Sequence, residues 1–246
     1  MCTSRKDSEE FAKIVRKKID GWYQKDEHYS KAVNRIVRQR EDIISLLEKV
    51  SKVDVKKLLR YLDSSGFYYR PSSPIGHHNF PGGLAEHSLG VYRIVEEWNK
   101  MTPDERRNSE LYKFILSDKL VNRDIFTETM NPDDMVIASI CHDLCKAEYC
   151  YFDGRRIRCH HSGPNPNHNH SSLSKKRLKE NGIDTPDCNE LLLAVRTHMR
   201  LFSKSDNENE IQRQQEGKKS MLAIAVWAAD KLDAKRHPAG RRHFDF

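Results

Sequence analysis

The stretch Ile140-Cys141-His142-Asp143-Leu144-Cys145-Lys146 decides the interpretation of this chain, because it sets an imidazole beside a carboxylate within an apolar segment. Burying His142 and Asp143 without a partner would be costly. A metal ion is a partner that satisfies both side chains. The pair is therefore a candidate for metal binding, and further ligands are expected elsewhere in the chain.

The residues before this pair predict a helix. Pro132 suits the first helical turn, and Asp133 and Asp134 complement its unpaired N–H groups. Residues at helical spacing then form one stripe, namely Met135, Ala138, His142 and Cys145. This helix is expected to carry His142 into the core.

Two other segments place a polar side chain within an apolar helical pattern. Residues 82–89 (Gly-Gly-Leu-Ala-Glu-His-Ser-Leu) begin a helix that carries His87. His87 shares its face with Leu84, Val91, Ile94 and Trp98. Residues 228–234 (Ala-Ala-Asp-Lys-Leu-Asp-Ala) belong to a strongly apolar helix in which Asp230 is the exception. A buried carboxylate at that position must be paired with a cation.

With these motifs the sequence resembles the HD superfamily of metal-dependent phosphohydrolases, whose signature is a histidine, a His-Asp pair and an aspartate on separate helices. The resemblance runs from about Gly66 to Lys235. It is closest to HD domains with a Gly-Gly-Leu-x-Glu-His-Ser/Thr start and an Ala-Asp-x-Leu-Asp-Ala final helix, some of which are 3′-to-5′ exoribonucleases. The implied fold is all-α, an HD-domain helical bundle with an N-terminal helical extension and a small β-hairpin insertion. Cys145 replaces a frequent Gly, which leaves the local turn open.

The resemblance implies a set of metal ligands. The simplest HD sites hold one ion with four residues, which here are His87, His142, Asp143 and Asp230. Relatives with two further histidines, here His170 and His198, hold two ions bridged by the Asp of the pair. Asp143 and His170 are 27 residues apart, His170 and His198 are 28 apart, and His198 and Asp230 are 32 apart. Each interval leaves room for a helix and a return. The alternative is that His170 is a solvated loop residue and His198 a core histidine.

The resemblance also implies roles in catalysis and substrate binding. Asp143 and Lys146 are the expected catalytic residues, and Lys146 would balance charge on a substrate phosphate. Its alternative role is to offset the C-terminal dipole of the helix. Substrate contacts are expected from His77, His78, Lys146 and Arg196. A structural role is the alternative for His77 and His78.

Histidine and aspartate ligands favour one or two divalent transition metal ions (Mn, Fe, Co, Ni or Zn), and the sequence does not choose among them. Such ions activate water and polarise phosphoryl oxygens. The predicted function is metal-dependent hydrolysis of a phosphate ester, in a nucleotide or a short nucleic-acid end. Two alternatives remain open. One is a di-iron oxygenase, since the inositol oxygenases share this fold and ligand order. The other is a metal-bound regulatory module without turnover.

Composition limits the setting of this site. The 246 residues are 32% charged and 37% hydrophobic, with a net charge of +7, and no run is long enough to span a membrane. A polar N-terminus without a signal-peptide core predicts a cytoplasmic location. The positive charge fits either a solvated surface or an attraction for phosphate-bearing partners, and charge alone does not choose between them. The six cysteines form no Cys-x-x-Cys pair, which indicates reduced thiols rather than a zinc ribbon.

Periodicity and turn residues divide the chain into three regions. Residues 1–65 are an N-terminal helical extension packed on the core, residues 66–236 the HD domain, and residues 237–246 a basic tail. A β-hairpin is expected over residues 149–159 around Asp153-Gly154. Residues 203–217 are polar and are expected to be mobile.

Overall fold

A computed structural model of the protein describes residues 5–22, 27–74, 76–118, 128–152, 157–159 and 170–237. The first part of the chain forms helices α1 (Arg5–Lys18), α2 (Glu27–Leu47), α3 (Lys56–Ser65), α4 (Gly83–Lys100), α5 (Pro103–Asn108) and α6 (Glu110–Asp118). The second part forms α7 (Pro132–Cys141), α8 (Lys146–Tyr149), the strands β1 (Cys150–Phe152) and β2 (Ile157–Cys159), α9 (His170–Glu180), α10 (Asn189–Thr197), α11 (Glu208–Gly217) and α12 (Met221–Arg236). The all-α fold predicted from the sequence is confirmed.

The centre of the molecule is a bundle of α4, α7, α10 and α12, which pack on one another. Helix α12 is apolar on nearly every face and is buried over most of its length, as expected for a helix in the middle of a bundle. Helix α2 packs on α4 and α7 and adds residues such as Ile36 and Ile43 to the same core. The bundle thus surrounds the polar residues of α4, α7 and α12 with apolar side chains.

The N-terminal helices share this core. Phe11, Val15 and Ile19 of the first helical segment belong to the same cluster of buried residues as Trp98 of α4. The region boundaries at 65/66 and 236/237 stay predictions, and residues 238–246 of the tail lie outside the described residues. Within the described residues, no helix combines the length and the apolar character that crossing a membrane requires.

Helix α7 begins as the sequence predicts and ends earlier. Asn131 caps it by accepting hydrogen bonds from the backbone N–H groups of Asp133 and Asp134. The helix ends at Cys141, so the predicted stripe does not continue in one helix to Cys145, and residues 142–145 form a turn. The φ of Cys145 is −63°, a conformation open to any residue, so this turn does not need the Gly that relatives often carry.

Two glycines let the loop before α4 pack against the helix that carries His87. Gly82 has a φ of +83°, which L side chains rarely adopt, and a Cβ there would lie 2.7 Å from Ile36 Cγ1. A Cβ on Gly83 would lie 2.0 Å from the carbonyl oxygen of His78. Larger residues at either position would therefore push the loop away from the start of α4.

The segment from residue 203 to 217 differs from its prediction. Its second part is the helix α11, capped by Asn207, instead of a mobile stretch. Gln214 is buried and donates hydrogen bonds to the carbonyl oxygens of Arg200 and Ser203. These polar tertiary contacts fix the helix, and an apolar pattern in the sequence does not reveal contacts of this kind.

The hairpin and the cysteines give a mixed outcome. Strands β1 and β2 pair antiparallel, with Cys150 opposite Cys159, whereas the turn at Asp153-Gly154 lies outside the described residues.

Cys141, Cys145 and Cys188 are free and buried, as expected for reduced thiols. Cys150 is disulfide-bonded, so the expectation of reduced thiols is wrong for this residue. The absence of a Cys-x-x-Cys pair therefore did not exclude a disulfide at this position.

The loop contact at Gly82 can be tested with Gly182 as a matched control. Both glycines have a positive φ, +83° and +92°, so alanine at either position adds left-handed strain of about 1–2 kcal/mol. Among the described residues, the nearest neighbour of a Cβ on Gly182 would lie 3.9 Å away, whereas a Cβ on Gly82 would lie 2.7 Å from Ile36 Cγ1. We expect Gly82→Ala to lower the free energy of unfolding in urea by about 1 kcal/mol more than Gly182→Ala. Equal losses would contradict the contact.

Candidate metal centre

Six predicted ligands come together from separate parts of the bundle. The structure places His87 in α4, His142 and Asp143 directly after α7, His170 at the start of α9, His198 directly after α10, and Asp230 in α12. All are buried except His170, whose side chain is 26% exposed. Residues that are 143 positions apart in sequence thus meet in one polar cluster within an apolar core.

His87, His142 and Asp143 form the first part of this cluster. Their ligand atoms all lie within 4.8 Å of one another, an arrangement that fits a metal ion. Nε2 of His87 lies 3.1 Å from Nε2 of His142 and 3.2 Å from Oδ1 of Asp230. Ligand nitrogens bind such ions at about 2.0–2.1 Å, so two nitrogens 3.1 Å apart can share one ion.

The ring orientation of these histidines follows from their other nitrogen. Nδ1 of His142 lies 2.8 Å from the carbonyl oxygen of Ser139, and Nδ1 of His198 lies 2.7 Å from that of Val195. A carbonyl oxygen only accepts, so each Nδ1 carries the proton and donates it. Each Nε2 then presents a lone pair to the cluster, which is the form in which histidine binds a metal.

Asp143, His170 and His198 form the second part of the cluster. Their ligand atoms also lie within 4.8 Å of one another, so Asp143 belongs to both groups. Nε2 of His170 contacts Oδ1 of Asp143 at 2.5 Å, and Nε2 of His198 lies 3.5 Å from the same oxygen. Oδ2 of Asp143 faces His142 and His87 at 3.5 and 3.7 Å. One carboxylate therefore stands between two pairs of histidines.

The fifth neighbour of Asp143 is a lysine. Nζ of Lys146 lies 2.5 Å from Oδ2 of Asp143, one turn further along the chain. Burial lowers the pKa of Lys146, but the carboxylate of Asp143 outweighs burial and the pKa is raised. The ammonium group therefore stays charged, and with its side chain 17% exposed it borders the surface of the site.

The electrostatics of the cluster call for positive charge. Burial lowers the pKa of His87, but hydrogen bonds to Asp230 and Asp233 reverse this and raise the pKa to about 9. Burial likewise lowers the pKa of His170, and Asp143 raises it to about 10. Burial raises the pKa of Asp143 and Asp230, yet the surrounding cations hold both well below the usual range. These carboxylates are ionised and buried, and a divalent cation would neutralise them while leaving the histidines neutral.

Two buried polar atoms support this conclusion. Among the described residues, Nε2 of His198 and Oδ2 of Asp230 have no hydrogen-bond partner. An unsatisfied buried polar atom costs about 1–3 kcal/mol. Both atoms belong to the histidines and carboxylates that line the cluster, where an ion would satisfy them. The residues present therefore fit a divalent metal site.

Asp233 contacts the outer nitrogen of a candidate ligand. Oδ2 of Asp233 accepts a hydrogen bond of 2.7 Å from Nδ1 of His87, and Asp233 is only 3% exposed. Its other oxygen lies where a Cβ on Gly90 would be, at 2.0 Å. Its spacing of three from Asp230 is the sequence signal that places it on the same side of α12. Carboxylates in this position orient a ligand histidine and raise its basicity.

The two histidines predicted to touch substrate lie in different environments. The His77 ring centroid is 4.6 Å from that of His87, and burial with the nearby His87 and Lys146 cations lowers the pKa of His77 to about 3. His78 is 2% exposed, with a φ of +51°, and its Nε2 lies 3.6 Å from Oδ2 of Asp233. The substrate role stays a prediction for both, and His77 is the more accessible of the two.

Arg196 points to a structural partner. Its guanidinium donates to Glu210 of α11 at 3.0 Å and to the hydroxyl of Ser171 at 3.2 Å. Ser171 follows His170, so this arginine ties the start of α9 to α11. A contact between Arg196 and substrate stays a prediction.

The comparisons with known proteins give one family. The profile of the HD domain matches residues 84–235, which include all six candidate ligands and Lys146. No curated protein matches the chain, and no solved structure matches it. HD domains belong to a superfamily of metal-dependent phosphohydrolases, and the match covers more than half of the chain. This protein therefore belongs to the HD-domain family.

Proposed function

We propose that this HD-domain protein is a phosphohydrolase with two divalent metal ions, acting on a phosphate ester of a nucleotide or of a short nucleic-acid end. The observation that carries the proposal is the position of Asp143, which is shared by two histidine groups and is paired with Lys146. A single ion would use only one of these groups. A cytoplasmic location stays a prediction.

Each ion would have its own set of residues. His87, His142 and Asp230 would hold one ion with one oxygen of Asp143, because their ligand atoms surround Nε2 of His87. His170 and His198 would hold the other with the remaining oxygen of Asp143. The transition metals that bind imidazole and carboxylate together, such as Mn, Fe, Co, Ni and Zn, all suit these donors. The residues do not select one of them.

When bound, ions of this kind lower the pKa of water and withdraw charge from a phosphoryl oxygen. The protein's own residues set the surroundings. Asp143 stays ionised and can accept a proton or a metal bond but cannot donate. Lys146 stays cationic at the exposed border of the site, where it can bind a substrate phosphate oxygen and stabilise charge that develops there. The apolar core behind the cluster excludes bulk water and strengthens these interactions.

The side chains near the opening suggest how a substrate is held. His77 has its pKa lowered to about 3, so it is neutral and can donate or accept a hydrogen bond without adding charge. Lys146 and His170 are partly exposed and stand beside Asp143. A phosphate group that enters here would therefore meet the ammonium group of Lys146 and the neutral ring of His77. This environment suits a phosphate diester or monoester.

The test of the function is a metal-supplemented screen. Purified protein with added Mn or Co should hydrolyse at least one of nucleotides, cyclic nucleotides or oligoribonucleotides, and His142→Ala with Asp143→Ala should abolish both metal content and turnover. Oxygen uptake with a polyol in place of phosphate release would favour a di-iron oxygenase. Full metal content without turnover on any substrate would favour a regulatory module.

The two-ion arrangement predicts a stepwise loss of metal. Removal of His170 and His198 should cost the protein the ion that these two residues would hold. The ion that His87, His142 and Asp230 would hold should remain. Elemental analysis should give two metals per chain in the wild type and close to one in the His170→Ala/His198→Ala variant. The exposed His28, which lies outside the cluster, is the control, and His28→Ala should keep both. One metal in both wild type and double variant would contradict the arrangement.

The role proposed for Lys146 predicts that its removal lowers the turnover rate and leaves the metal content unchanged. The lysine is assigned to the substrate phosphate, and removing one such electrostatic donor costs roughly 100- to 1000-fold in rate. We expect Lys146→Ala to lose turnover to this extent while metal content stays at the wild-type value. The control is Lys176→Ala, which removes a lysine whose side chain is 64% exposed on α9. Unchanged kinetics in Lys146→Ala would leave Lys146 only the structural role of pairing with Asp143.

A further inference from the structure

A cavity lies between α2, α4 and the end of α12. It has a volume of about 630 Å³. None of the six candidate metal ligands lines it, although Asp233 forms part of its wall. Cavities of this volume accommodate ligands of nucleotide size.

Helix α2 turns a basic face toward this cavity. Lys31, Arg35 and Arg38 all line it, and their spacing of four and three places them on one side of the helix. Helix α4 contributes Arg93 from the facing wall. Four cationic side chains from two neighbouring helices therefore converge on one space.

The acidic residues of the cavity neutralise only part of this charge. Glu86 is engaged by Arg35 at 3.5 Å and by Gln39 at 3.0 Å. Asp233 accepts the hydrogen bond of His87, which leaves Asp42 as the remaining acidic residue.

Two of the arginines remain available. Arg38 and Arg93 are exposed, and neither forms an ion pair with any other residue in the parts of the chain that the structure describes. A guanidinium presents a planar fork of donors that matches two oxygens of a phosphate. Two such groups on opposite walls of one cavity are suited to a ligand with more than one phosphate oxygen to offer.

We propose that this cavity binds a small phosphate-bearing molecule of nucleotide size, at a site separate from the metal centre. Arg38 and Arg93 bind the phosphates, whereas Lys31 is engaged by Glu27 at 2.7 Å. The site goes beyond the proposed hydrolysis and does not depend on it, because none of its phosphate-binding residues belongs to the metal centre.

The experiment measures binding of the ATP analogue AMP-PNP to the Mn-loaded protein by isothermal titration calorimetry. The variant is Arg38→Ala/Arg93→Ala. The control is Lys49→Ala/Lys100→Ala, which removes the same charge from a different cavity of about 430 Å³ beside α2 and α4. All four side chains are exposed, so both variants should keep the wild-type thermal midpoint.

We expect the arginine variant to lose one equivalent of bound AMP-PNP, through a loss of affinity of about 10- to 100-fold at that site. The lysine control should bind as the wild type does. Equal binding by the arginine variant and the wild type would overturn the proposal, and so would an equal loss in the lysine control. Binding of hexathymidylate can be measured in the same way. If it depends on the two arginines while binding of AMP-PNP does not, the proposal of a small-molecule ligand is overturned and the ligand is a nucleic-acid strand. Hydrolytic activity does not enter any of these outcomes.

Discussion

The buried carboxylate of Asp143 is the constraint on which the rest of the site depends. An ionised group with 2% exposure is stable only if opposite charge surrounds it, and Asp143 has His142, His170, His198 and Lys146 around its two oxygens. His142 and His198 directly follow α7 and α10, and Lys146 and His170 are the first residues of α8 and α9. The need to surround one carboxylate therefore fixes how these helices meet, and the apolar core fills the space around them.

A second layer of contacts holds the histidines in the form that binds metal. The backbone carbonyls of Ser139 and Val195 take the Nδ1 protons of His142 and His198, and Asp233 takes that of His87. Each carbonyl lies three residues before its histidine, so the end of a helix supplies both the ligand and its support. Gly90 leaves room for the Asp233 carboxylate, which a side chain at that position would displace. The site thus depends on backbone geometry as much as on its six ligands.

The helical bundle and the residues that form the polar cluster could be predicted from the sequence. The spacing of Leu84, His87 and Val91 predicted an inward histidine, and the apolar run before Asp230 predicted a buried carboxylate, as the structure has them. The resemblance implied that Asp143 is shared between two histidine groups, but the spacing of the residues could not show it, because that position depends on how α9 and α10 pack. It also missed α11, whose buried Glu210 and Gln214 are held by polar contacts. The cavity beside α2 and α4 was equally hidden, since its arginines come from segments more than 50 residues apart.

The proposal that Asp143 is shared by two metal ions can be tested by anomalous diffraction from crystals grown with Mn and measured on both sides of the Mn absorption edge. We expect two anomalous peaks, both within bonding distance of Asp143. One should lie beside His87 and His142, and the other beside His170 and His198. A single peak, or peaks that do not contact Asp143, would contradict it.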